Sequence, residues 1–134
     1  SSNSYNYPLV QIVPGDLGGV SVSSLIGAAT NNATVVKASA GQLYGFDIFN
    51  LDQTPIYVKF YDVATTPTPG TTAIKLRYGV SAVASALGTH KPTVWIPCGV
   101  PFSAGISFAV VTGITDADNT SVAVSEFLMN VYYK

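Results

Sequence analysis

The sequence predicts an all-β protein: an antiparallel β-sandwich or jelly-roll-like barrel of about seven to eight strands, with an extended N-terminal arm. Three observations predict it. Short runs of alternating apolar and polar residues recur, bounded by Gly, Pro, Asn and Asp turn signals at intervals of about 8–12 residues. A parallel α/β sheet needs crossover helices, and the chain offers one weak candidate, residues 81–88 (SAVASALG). The single cysteine, Cys98, excludes an intrachain disulfide, the immunoglobulin-type bridge included.

The elements follow in chain order. The first 36 residues hold one charged side chain, Asp16. Apolar bursts at 9–13 (LVQIV) and 20–26 (VSVSSLI) are separated by Pro14-Gly15 and Gly18-Gly19, which break regular structure. A short edge strand fits 9–13. The rest of 1–33 reads as an arm that packs on something, because a solvated tail is richer in Lys, Glu and Gln. Residues 35–38 form a short strand ended by Gly41, and 42–50 (QLYGFDIFN) a strand with Gly45 at a bulge or close approach. Residues 51–54 (LDQT) suit a hairpin loop. The clearest alternation is 55–63 (PIYVKFYDV), with Ile56, Val58 and Phe60 on one face and Tyr57, Lys59 and Tyr61 on the other.

Residues 65–72 (TTPTPGTT) are a Pro/Gly loop. In 73–80, Ile74, Leu76 and Tyr78 oppose Lys75 and Arg77. Residues 93–98 (TVWIPC) form a strand that Pro97 confines to an edge or an end. Ile106, Phe108 and Val110 share a face of 106–112, and 121–133 reads as a long final strand with a bulge near Ser125-Glu126. The expected organisation is an arm over 1–33 and one β-sandwich domain over 34–134.

Composition narrows the function classes. Only 10% of residues are charged, against ~25% in ordinary soluble domains. Polarity comes from hydroxyls, with Ser and Thr at 13 each. Six Lys and Arg against seven Asp and Glu give a net charge of -1, so no basic footprint for nucleic acid exists. No apolar run reaches the ~18 residues of a membrane helix. Residues 1–5 carry no signal-peptide pattern, and a first Ser fits removal of an initiator Met.

Catalytic chemistry is sparsely provided. The one histidine, His90, stands eight residues before Cys98, and no G-x-S-x-G, P-loop or G-x-G-x-x-G occurs. Cys98 reads as a small buried hydrophobe. Asp116 and Asp118, within TDADNT, read as a hairpin turn rather than a calcium loop, because the D-x-[DN]-x-[DN]-G pattern is missing. The sequons at Asn32 and Asn119 are expected by chance in so Ser/Thr-rich a chain. Eight tyrosines leave open a carbohydrate platform, a subunit interface or a second buried face around Tyr57 and Tyr61. No enzyme activity and no cofactor or metal is expected.

Five segments resemble a family of small structural proteins from tailed bacteriophages. Lys37-Ala38-Ser39-Ala40-Gly41-Gln42-Leu43-Tyr44-Gly45 is similar to the family's K-x-S-A-G-x-L-Y-G opening. Ile56-Tyr57-Val58-Lys59-Phe60-Tyr61-Asp62 resembles its Y-[VL]-K-[FL]-Y-[ND] strand, and residues 64–71 its K-A-T-A-P-T-V-G-T loop. Residues 99–106 (GVPFSAGI) are similar to G-I-x-F-S-T-G-I, and DADNT with the closing NVYYK to the family's acidic turn and N-V-x-Y-K end. Order and spacing over about a hundred residues carry the likeness, which leaves out the arm before Thr34 and residues 81–92.

The resemblance implies a virion protein on the capsid exterior, made in the bacterial cytoplasm. It would cement or decorate the shell by binding the major capsid protein, as a homotrimer, without nucleic-acid or membrane partners. The alternative is a receptor- or glycan-binding module of a phage fibre, knob or tail. Partner contacts are then expected at Tyr5, Tyr7, Leu9, Val10, Ile12, Leu25 and Ile26, the aromatic and apolar side chains of the arm.

Overall fold

The computed structural model describes residues 19–82 and 92–134. Eight strands run in order: β1 (Ser21–Ile26), β2 (Thr34–Lys37), β3 (Gly41–Asn50), β4 (Ile56–Asp62), β5 (Ile74–Val80), β6 (Thr93–Phe102), β7 (Ile106–Val111) and β8 (Phe127–Tyr133). They form two antiparallel four-stranded sheets, β1-β8-β3-β6 and β2-β7-β4-β5. These are called sheets A and B below.

Each strand pairs with its mirror image in sequence: β1 with β8, β2 with β7, β3 with β6 and β4 with β5. That is one long hairpin, with residues 63–73 at its tip, rolled so that alternate stretches fall in opposite sheets. The β3–β8 and β4–β7 pairings then close each sheet. The result is a β-sandwich in jelly-roll strand order, the fold class the alternation predicts.

Period-two patterning decides what lies between the sheets. Leu43, Phe46 and Ile48 of β3, Ile56, Val58 and Phe60 of β4, Ile106, Phe108 and Val110 of β7, and Phe127, Met129 and Val131 of β8 form the core. Phe60 sits between Phe46 and Phe108, ring centroids 5.2 and 6.0 Å away, and Tyr78 meets Phe46 edge-on at 5.2 Å.

Four expectations change. The arm does not extend to residue 33: Ser21–Ile26 is an edge strand, paired with β8 from Ser21↔Tyr133 to Ile26↔Leu128. Residues 51–55 form an arch between sheets, not a hairpin loop, because β3 and β4 lie in different sheets. Asn50 organises it, accepting from Asp52 N–H (2.8 Å) and donating to the carbonyls of Ser81 (3.0 Å) and Thr54 (3.3 Å). The final strand begins only at Phe127. Upstream, Ser125 has φ +57° and its N–H bonds to the Gly27 carbonyl, while buried Val122 bonds to Thr30. Lastly, Cys98 is exposed. Between the pairs Leu43↔Val100 and Gly45↔Trp95, residues 96–99 of β6 face only Tyr44 of β3. Pro97 and Gly99 (φ +72°) carry that bulge, which lifts Cys98 off the core. The strand expected at 9–13 lies outside the described residues, as do His90 and all but the first two residues of the helix candidate.

Chain segments cover the outer face of sheet B. Lys59 is 1% exposed and donates to the carbonyls of Thr115 (2.5 Å) and Asp118 (3.3 Å). Burial holds its pKa below the usual lysine value, against the pull of Asp118 and Asp116. Pro67 and Pro69 of the tip loop are buried, and Ser107 donates to the Val63 carbonyl (2.9 Å). Tyr61 is fully buried; its hydroxyl has no hydrogen-bond partner among the described residues, and burial raises its pKa. The Tyr57–Tyr61 face is thus a second buried face at Lys59 and Tyr61.

Asp62 fixes the β6–β7 turn. Its carboxylate accepts from Ala104 N–H (2.8 Å), Ser103 N–H and Oγ (3.0 and 2.9 Å) and Gly105 N–H (3.3 Å). The Ala104 and Ser103 amides hold its pKa far below the usual carboxylate range. A depressed folded-state pKa gives stability that is complete above the unfolded value of about 4 and is lost as pH falls through and below it. Asp118 and Asp116 are shifted in the same direction. Urea midpoints of the wild type are therefore expected to fall from about pH 5 downward, while Asp62→Asn starts lower at neutral pH and falls less. Equal pH slopes for the two proteins would show that the Asp62 turn is not the acid-sensitive element.

Candidate interaction face

The same alternation that buries Phe127, Met129 and Val131 turns Leu128, Asn130 and Tyr132 to the opposite side of β8. Register sets their neighbours. Ile26, Leu128 and Phe49 make one row across the outer face of sheet A. Ser24, Asn130, Asp47 and Thr93 make the next, and Val22, Tyr132, Gly45 and Trp95 the third. A polar row thus lies between two apolar ones.

This face is exposed where sheet B's is covered. Ile26 is 68% exposed, Trp95 57%, Val22 55% and Leu128 40%. Within the middle row Asp47 is engaged: it accepts from Asn130 Nδ2 (2.8 Å) and from the hydroxyl of Tyr132 in the third row (2.5 Å). That bond, with some burial, raises the Tyr132 pKa. Trp95 meets Tyr132 edge-on at 5.9 Å. Gly45 makes this possible, since a Cβ there would stand 2.9 Å from the indole and 2.4 Å from the Val94 carbonyl. Between the first two rows lies a groove of about 360 Å³ lined by Asp47, Ile48, Phe49, Thr93 and Leu128.

The expected partner contacts divide. Tyr5, Tyr7, Leu9, Val10 and Ile12 lie outside the described residues. Ile26 belongs to the exposed face, whereas Leu25 packs against the chain's own core. Leu128, Trp95 and Val22 were not singled out by sequence. Leu128 carries a readable signal, a large apolar residue out of phase with the buried set of its strand.

Other candidate groups are committed internally. Asp116 forms a bidentate pair with Arg77 (2.7 and 2.6 Å), and Asp118 accepts from Gly113 N–H and Thr120 N–H and Oγ1, all at 3.0 Å. The acidic segment is a turn that closes on itself. Asn32 is 6% exposed, with its amide donating to Ala28 and Thr30 carbonyls, so its sequon is not accessible in the fold. Among the described residues no three of His, Cys, Asp and Glu cluster as metal ligands, and no helix is long and apolar enough to cross a membrane.

No family model, curated protein or solved structure matches this chain.

The face and the core respond differently to truncation. Phe60→Ala is expected to cost about 3–5 kcal/mol, because it empties a fully buried site. Trp95→Ala and Leu128→Ser, at exposed positions, should each cost under about 1 kcal/mol. Denaturant titration measures both; a Trp95 cost near that of Phe60 would make the face part of the fold.

Proposed function

We propose that the protein is a structural subunit of a bacteriophage virion that cements or decorates the capsid exterior by binding the major capsid protein. The observation that carries this reading is the outer face of sheet A, apolar and poor in charge, on a chain whose other outer face is covered by its own loops. The resemblance to tailed-phage structural proteins supplies the partner. Burying side chains of the size of Trp95, Leu128 and Ile26 contributes ~1.5–3 kcal/mol each, against an association cost of ~4–15 kcal/mol. One copy on one site is then modestly bound, and repeated sites on a shell make attachment durable through avidity.

A specific observation also favours the glycan-binding alternative. Trp95 offers a stacking surface, and Thr93, two residues before it on the same face, brings a hydroxyl to the groove. The acidic turn no longer supports it, since Asp116 and Asp118 are occupied. A glycan array read with wild type and Trp95→Ala separates the two readings.

The decisive measurement is co-sedimentation with capsids lacking this protein. Leu128→Asp and Trp95→Ala are expected to weaken binding about tenfold or more while the fold stays intact, at a stability cost of no more than about 1 kcal/mol. Full binding by both removes the face from the interface. An arm test must stop at residue 18, because deletion through residue 32 also removes β1 from its pairing with β8. Deletion of 1–18 is expected to keep all eight strands and lower attachment; undiminished attachment leaves the arm without a role.

A further inference from the structure

Sheet edges expose unpaired backbone donors and acceptors, and proteins blunt them with charge, proline, bulges or shortness. Three of the four edge strands here are blunted. β2 has four residues and ends in Lys37; β5 carries Lys75 and Arg77; β6 has Pro97, Pro101 and its bulge. β1 has none of these devices. It reads SVSSLI, without charge, proline or glycine, and its register with β8 is unbroken. Among the described residues β8 is its one strand neighbour.

The groups on that edge can be assigned. Just past β1, Gly27 N–H bonds to the Phe127 carbonyl and the Gly27 carbonyl accepts from Ser125, so both backbone groups of Gly27 point toward the β8 side. Antiparallel ladders alternate, so Leu25, Ser23 and Ser21 also bond toward β8. The N–H and C=O groups of Val22, Ser24 and Ile26 therefore point to the open edge. These are also the three β1 residues whose side chains lie on the exposed face.

From this geometry we propose that β1 is a self-association edge: two copies pair β1 to β1 antiparallel about a two-fold axis at Ser24, making one continuous eight-stranded sheet. The strand is self-complementary in this register. Ser24 faces Ser24 of the second copy, and Val22 faces its Ile26, so the two most exposed β1 side chains cover each other. All three pairs are of the hydrogen-bonded type, which joins every open donor and acceptor of Val22, Ser24 and Ile26. No residue from 19 to 33 is charged, so no charge along β1 or its described flanks opposes approach. A competing register centred on Ser23 sets Val22 against Ser24 and leaves Ile26 beyond the end of the ladder. The two outer faces of sheet A become one platform, and a two-fold dimer takes the place of the trimer implied by the resemblance. This inference does not depend on what binds that platform.

Sedimentation velocity on the full chain over a concentration series tests it. A monomer–dimer equilibrium is expected. Ser24→Pro should shift it to monomer, raising the dissociation constant about tenfold or more. It removes one outward N–H and spares every bond to β8, so circular dichroism and melting temperature should hold; Pro is tolerated where its missing N–H faces off the sheet. Should Ser24→Pro fail to fold, Ser24→Lys introduces like charges at the axis and makes the same prediction. In a Cys98→Ser background, Ser24→Cys should oxidise to a linked dimer, because residues facing each other in a hydrogen-bonded pair stand about 5.5 Å apart at Cα, within disulfide range. A wild type that remains monomeric or forms trimers, or a dimer that survives both Ser24 substitutions, overturns the proposal.

Discussion

The pairing of β8 between β1 and β3 is the interaction on which the molecule depends. β8 is the last strand in sequence and an inner strand in space. Its Phe127, Met129 and Val131 complete the core, and its ladder holds the first described strand to the third. Mirror-image pairing follows from treating the chain as one hairpin rolled about its tip. Backbone groups of six strands are then satisfied only by partners far away in sequence, as in other β-rich folds.

Rolling the hairpin leaves two outer faces, and the chain treats them differently. Over sheet B it lays the tip loop and the turn that follows β7. Lys59 donates to the carbonyls of that turn, and Arg77 grips Asp116 across an exposed, solvent-screened pair that adds little by itself. Over sheet A, the described chain lays nothing comparable. The cover on one side engages Lys59 of β4 and Arg77 of β5, whereas the strands of the other sheet carry a single carboxylate, Asp47, already bonded to Asn130 and Tyr132.

Much of this was legible in sequence, for a physical reason. Where a strand has one apolar face, as in Ile56-Tyr57-Val58-Lys59-Phe60, period two states which side is buried. Pro97 marked an edge because a proline cannot donate to a ladder, and Gly45 marked a close approach, which Trp95 fills. Three things stayed hidden. The serines of SVSSLI dilute its alternation, so β1 read as arm. The turn chemistry of Leu51-Asp52-Gln53-Thr54 serves an arch between sheets as well as a hairpin, since Asn, Asp and Thr bond nearby amides in either. Lys59 is covered by a turn more than fifty residues further along, a relation no local pattern expresses. The exposed face was half visible, through Ile26, and its wider extent required the register that sets Leu128 and Trp95 beside it.

The central position of β8 has a consequence for synthesis. A chain still lacking Phe127–Tyr133 has neither the filling of its core nor the strand that joins β1 to β3. Sheet A cannot close until the last strand has been made. A chain made only as far as β7 therefore presents neither the completed outer face of sheet A nor a β1 edge held in place.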